Sequence, residues 1–171
     1  MKKLSLSLFS IILFLSIITP AISFEKIIIG KGNVTDGDTI KINDQKIRLF
    51  GIDAPETKQF CKEVYLSFLI FNFKRDYKCG EKSTNALKKK IKDKKIRCLI
   101  QDNKDRYRRN IGICYLKKQD INSWLVKNGY AIAYRRYSKK YIIDEQYAKD
   151  NKLGIWQGTF MEPEKWRRIM N

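Results

Sequence analysis

The sequence predicts an α+β domain in which a small antiparallel sheet or barrel packs against helices. Three observations predict it. Short β-branched runs with period-two alternation dominate the early part of the chain. Helix-period segments come afterwards instead of alternating strictly with strands. A length of 171 residues with 43% hydrophobic content is enough for one real core.

The first segment stands apart from that domain. Met1-Lys2-Lys3 is a short basic start, Leu4 to Ile18 an apolar run, and Ala21-Ile22-Ser23 a small-residue exit, the pattern of a signal peptide over residues 1–23. The expected localisation is export, secreted or periplasmic, with membrane retention if the N-terminus stays uncleaved. The apolar run is short of the roughly 20 residues a spanning helix needs. No other stretch is long and apolar enough, so no transmembrane domain is expected in the mature chain.

"EKIIIGKGNV", "DTIKI" and "KIRLFGI" read as three strands, with Asn43-Asp44 turning the second into the third. Period two places Ile47 and Leu49 on one face of the third strand and Arg48 on the other. "KEVYLSFLIFNFKRDYK", between Cys61 and Cys79, mixes an aromatic run with a basic tail and fits neither period; it is an insertion of undetermined structure. A surface helix follows, with Leu87 and Ile91 four apart among lysines. Strands over about 95–101 and 110–116 flank a charged turn centred on Arg106. In "DINSWLVKNG", Asp120 caps a helix and Gly129 ends it. A last helix is expected from Lys139 to Leu153, stopped by Gly154.

Export places Cys61, Cys79, Cys98 and Cys114 in an oxidising compartment. The chain has no C-x-x-C and no histidine, which argues against zinc and for two disulfides. Cys98 and Cys114 flank the charged turn, where strands folding back oppose them. Cys61 then pairs with Cys79.

Without histidine there is no His base, no His ligand and no Ser-His or Cys-His nucleophile pair. Carboxylates, arginines and tyrosines remain. Carboxylates are hard oxygen ligands that suit calcium or magnesium, and arginines match phosphate oxygens in bidentate geometry. Together they point to phosphodiester chemistry. In a chain of formal charge +18, residues 34–56 collect Asp36, Asp38, Asp44, Asp53 and Glu56. Asp38 starts one strand and Asp53 ends the next; strands paired through the Asn43-Asp44 turn bring both acids to one sheet edge, where they can share a cation. Glu56, held beyond Pro55, is placed to polarise an attacking water.

"TDGDTIKI", "RLFGIDAPE" and "DRYRRNIG" resemble, in order and separation, three signature segments of the staphylococcal nuclease (thermonuclease) family. The resemblance continues through "LVKNGYAIAYRRYS" and "NKLGIWQGTF", and so covers nearly all of residues 24–171. It implies a five-stranded OB-fold β-barrel packed against about three helices, a monomer, and hydrolysis of DNA and/or RNA with one calcium ion. By motif position it makes Asp38 and Asp53 calcium ligands, with Thr39 lending its backbone carbonyl and Asp36 an outer carboxylate. Glu56 matches the general base, and Arg48 and Arg109 the two phosphate-binding arginines. Arg106 and Tyr107 match substrate contacts, and Tyr134 or Tyr137 a tyrosine packed near the nucleotide.

One departure stands out. Where the family usually has Asp-x-Tyr-Gly-Arg, this chain has Asp105-Arg106-Tyr107-Arg108-Arg109. A left-handed backbone there costs a non-glycine residue about 1 kcal/mol or more and leaves Arg108 as a rival to Arg109. The alternative function is a non-catalytic OB-fold nucleic-acid-binding module. Charge alone does not choose, since cationic exported proteins also adhere to anionic lipid or cell wall. Tyr134, Arg135, Arg136 and Tyr137 read equally as a single-strand binding surface or as core tyrosines beside solvated arginines.

Overall fold

The computed structural model describes residues 24–170; the expected signal segment lies outside the described residues. In chain order the elements are β1 (Phe24–Lys31), β2 (Asn33–Asp36), β3 (Thr39–Ile42), β4 (Gln45–Leu49), β5 (Ile52–Asp53), β6 (Cys61–Phe68), β7 (Phe71–Tyr77), α1 (Cys79–Ile91), β8 (Lys95–Lys104), β9 (Asn110–Leu116), β10 (Gln119–Asp120), α2 (Ile121–Lys127), β11 (Ile132–Ala133), α3 (Ile142–Asp150), a 3₁₀ turn (Gly154–Gln157), β12 (Gly158–Thr159) and α4 (Pro163–Met170).

The main sheet runs β1-β8-β9-β4-β3-β2, with β10 added to β9. It is a curled, partly open mixed sheet packed against four helices, where the sequence predicts five strands and about three helices. All its pairs are antiparallel except β4 with β9. The chain between β4 and β9 carries a hairpin, α1 and β8, and a connection that long is what parallel pairing requires.

The Asn43-Asp44 turn forms as expected, with φ of 46° and 62°. Two positive φ values in a two-residue loop match the right-handed strand twist, which is why asparagine and aspartate serve there. Ile40, Ile42, Ile47 and Leu49 are buried, and Leu87 and Ile91 of α1 join them in one core with Ile121 and Leu125 of α2. Asp120 caps α2, its carboxylate accepting from Ser123 N at 3.0 Å. The expected helix over 139–153 is shorter, Ile142–Asp150.

Residues 61–77 form a β-hairpin, β6 with β7, extended by β12 into a three-stranded sheet. Both disulfides have the expected pairing, Cys61–Cys79 at the hairpin base and Cys98–Cys114 between directly opposed residues of β8 and β9. Among the described residues no helix is long and apolar enough to cross a membrane.

Candidate active site

Thr39 pairs with Arg48 across β3 and β4, while Ile47 and Leu49 point into the core, so Arg48 leaves from the opposite face. The chain then turns at Gly51, whose φ of +72° strains any other residue. That turn places Asp53 in β5, outside the β3–β4 hairpin, and β5 pairs with β11. Asp53 therefore does not end the strand that carries Arg48, as the sequence suggests; it returns to Arg48 by a turn.

The Arg48 guanidinium lies between the two acids. It forms an ion pair with Asp38 and donates through Nη2 to Asp53 Oδ1 at 2.7 Å. Both carboxylates are buried, Asp38 to 2% exposure and Asp53 to 0%. The second Asp38 oxygen accepts from Ala54 N at 2.8 Å, which locks β5 against the start of β3. Burial pulls the Arg48 guanidinium below its ordinary value, and the charge and hydrogen bond of Asp53 oppose that pull.

Glu56 sits on a braced loop. Its backbone N donates to Gln59 Oε1 at 3.2 Å, and Gln59 Nε2 donates to Met161 O at 2.7 Å. A Cβ on Gly80 would lie 1.7 Å from the Glu56 carbonyl oxygen, so only glycine lets α1 start against this loop.

Asp105 braces the turn between β8 and β9. Its Oδ1 accepts from Tyr107 N and Arg109 N, each at 2.9 Å, and its Oδ2 from Arg109 Nε at 2.6 Å. Burial raises the Asp105 carboxyl, but these hydrogen bonds outweigh it and hold the group below its ordinary value. Arg108 has φ of +60°, so the position does need the left-handed backbone, and its side chain is exposed. Arg109 keeps its direction: Nη1 donates to Thr39 Oγ1 at 3.2 Å, and Thr39 Oγ1 donates to Asp38 Oδ1 at 3.3 Å. Asp36, Thr39, Tyr107 and Arg109 line one shallow cleft with Thr35 and Lys46. Arg106 stacks over the Tyr107 ring.

Sequence reasoning missed Arg167. From α4 it donates to both oxygens of Asp53 and, through Nη1, to Glu56 Oε1 at 2.7 Å. The polar contacts thus run without a break from Arg109 through Thr39, Asp38, Arg48, Asp53 and Arg167 to Glu56. The signals for α4 were present: Pro163 opens it, Glu164 stands in its first turn, and Arg167 and Arg168 in its last. Tyr134 donates to Glu164 at 2.9 Å; burial and then that carboxylate push its hydroxyl up to about 12. Tyr137 is exposed and meets Tyr134 edge-on at 5.0 Å between ring centres.

Among the described residues, no group of three or more Cys, Asp or Glu side chains is arranged to hold a metal ion. The donor chemistry nonetheless suits a hard divalent cation. Asp38 and Asp53 are buried anionic oxygen donors, and the Arg167 guanidinium stands in as the cation shared by Asp53 and Glu56.

A family model described as "Staphylococcal nuclease homologue" matches residues 46–158. That range contains Arg48, Asp53, Glu56 and Arg109; Asp36, Asp38 and Thr39 precede it, and Arg167 follows it. Among similar proteins, the succinoglycan biosynthesis protein ExoI of Rhizobium meliloti is 35% identical over 133 residues, 76% of this chain and 65% of that protein. An uncharacterized endonuclease of Haemophilus influenzae is 35% identical over 143 residues, 79% of this chain and 70% of that one. A micrococcal nuclease of Shigella flexneri is 30% identical over 154 residues, 79% and 77% of the two chains. The chain spans just under two thirds of the first of these relatives and more of the other two. With the family match covering most of the chain and the buried Arg48–Asp53 pair inside it, the chain belongs to the staphylococcal nuclease family.

Proposed function

We propose that this protein is a calcium-dependent nuclease that hydrolyses phosphodiester bonds of DNA and/or RNA. The observation that carries the reading is the convergence of Arg48 and Arg109 on one buried acidic line, Arg48 between Asp38 and Asp53 and Arg109 reaching it through Thr39. Family membership and the endonuclease and nuclease names of two relatives support it. The curled sheet is read as the five-stranded OB-fold barrel, with β6 and β7 as an insertion, and residues 1–23 as an export signal.

In this reading Arg48 and Arg109 grip the scissile phosphate and stabilise the negative charge that grows on its oxygens. Glu56, on its braced loop, accepts a proton from the attacking water. Asp38 and Asp53, with Thr39, would hold the calcium ion, and Asp36 lies outside them. Bound there, calcium supplies charge neutralisation and polarisation of water. Arg106 and Tyr107 contact the substrate beside the shallow cleft, and Tyr134 or Tyr137 packs beside a nucleotide.

The test is cleavage of single- and double-stranded DNA and RNA by residues 24–171 with calcium, with magnesium and with chelator. Asp38→Asn and Asp53→Asn, each checked for folding by circular dichroism, should abolish cleavage while low-salt DNA binding persists, since lysines and arginines make that contact. Undiminished cleavage in both variants refutes the site. Salt-sensitive binding without cleavage under any metal condition identifies a non-catalytic module instead.

A further inference from the structure

The β6–β7 hairpin presents large apolar side chains that nothing among the described residues covers. Cross-strand partners project from the same face of a sheet, and β6 pairs with β7 as Leu66↔Phe73 and Phe68↔Phe71. Those four side chains therefore form one patch, all of it exposed. Leu69 and Ile70 close the turn beyond them at 86% and 87% exposure. Leu69 has φ of +53° at the first turn position, where glycine or asparagine folds at lower cost. Folding alone therefore does not favour leucine there.

Two polar side chains near the tip are paired with each other. Ser67 Oγ donates to Asn72 Oδ1 at 2.7 Å, so these two side chains leave water at reduced cost. Below the apolar tip the stem carries three cations, Lys62, Lys74 and Arg75, against two acids, Glu63 and Asp76. Lys62 and Arg75 pair with Asp76 and Glu63, and Lys74 has no acidic partner among the described residues. Arg75 also lies over the Tyr65 ring. An apolar tip above an aromatic and basic collar is the arrangement that seats at a bilayer interface, with rings and cations at headgroup level. Among the described residues the outer edge of β7 is unpaired, so it keeps its backbone groups near water and limits the hairpin to shallow entry.

We infer that this hairpin docks the protein on anionic lipid bilayers, inserting Leu69 and Ile70 with the Leu66, Phe68, Phe71 and Phe73 face against the headgroup boundary. A second copy of the chain is the weaker occupant. Without Lys2 and Lys3, residues 24–171 carry 34 bases against 18 acids, a formal +16, which opposes self-association and favours an anionic surface. The inference does not depend on nuclease activity.

The test is flotation of residues 24–171, which contain the whole described core and both disulfides, with vesicles of phosphatidylcholine alone or with about 30% phosphatidylglycerol. The wild-type chain should float with the anionic vesicles and not with the neutral ones. Leu69→Gly with Ile70→Ser places glycine at the one positive-φ turn position and a polar residue after it, and so preserves the hairpin; it should cut the floated fraction about tenfold with circular dichroism unchanged. Phe68→Ser with Phe71→Ser should do the same. Equal flotation of wild type and variants, or none by the wild type, overturns the inference. A dimer seen by light scattering and lost in the tip variant, without vesicle binding, assigns the patch to a second copy and also overturns it.

Discussion

Arg167 meets Asp53 face to face, Nη1 to Oδ1 and Nη2 to Oδ2, both at 3.0 Å and across 114 residues of sequence. Such bidentate pairing is the strongest form of Arg–carboxylate contact, and here the carboxylate is fully buried. Burial draws the Arg167 guanidinium down, but Asp53 and then Glu56 outweigh it and hold the group above its ordinary value. Arg167 therefore neutralises two acids, Asp53 and Glu56, that the proposed function assigns to calcium and to water.

Replacing Arg167 by Met has two expected effects of opposite sign. Stability in chelator falls by about 2 kcal/mol, read as a lower urea midpoint, because charged hydrogen bonds to buried Asp53 are lost. Calcium affinity, read by competition with a calcium-binding dye, rises tenfold or more because a positive charge has left the same oxygens. Unchanged affinity would show that the ion and Arg167 use different groups.

The turn before β9 separates two neighbouring arginines. Arg109→Ala should lower turnover a hundredfold or more, the scale of a lost transition-state donor. Arg108→Gly should leave turnover unchanged and add about 1 kcal/mol in urea unfolding, by relieving the left-handed backbone at φ of +60°. The reverse ranking in steady-state assays would assign the phosphate to Arg108.

Acid should unfold the protein partly through Glu145. Its buried carboxylate accepts from Ala133 N, Arg135 and Lys149. Burial raises the group, but those partners outweigh it and hold it below the ordinary 4.5. A depressed folded value means the stabilisation is full above pH 4.5 and disappears as pH falls through that value and the lower folded one. Glu145→Gln should cost about 2 kcal/mol near neutrality and flatten the acid limb of stability against pH. An equally steep limb in the variant would place the acid sensitivity elsewhere, Asp105 first.

Removing the Cys98–Cys114 bridge by paired alanines should cost about 3 kcal/mol in urea unfolding, the scale for closing a loop of this length. The opposed strand positions should persist, so the variant should keep its circular dichroism spectrum while its midpoint falls.

Local chemistry made much of this legible. Alternation fixed the direction of Arg48, the Asn43-Asp44 pair announced its turn, and the charged turn between Cys98 and Cys114 announced a bridge across it. The rest depends on distance along the chain. Arg167 stands 111 residues from Glu56, and nothing local in either segment signals the other. The parallel β4–β9 pair is likewise a property of the whole path. The hairpin over 61–77 escaped notice because the irregular register at Tyr65 and the apolar turn Leu69-Ile70 fill the gaps in the alternation of Leu66, Phe68, Phe71 and Phe73.

The position of Arg167 also has a consequence in time. A chain leaves the ribosome amino end first, and Asp38, Arg48, Asp53 and Glu56 emerge more than a hundred residues before α4. Until then the buried Asp38 and Asp53 share the Arg48 guanidinium alone, and buried like charges resist being brought together. The β3–β5 corner should therefore consolidate last although it is made early, and a chain truncated before Arg167 should stay open to proteases at that corner. The residue that closes the site is made 111 residues after Glu56, one of the acids it pairs.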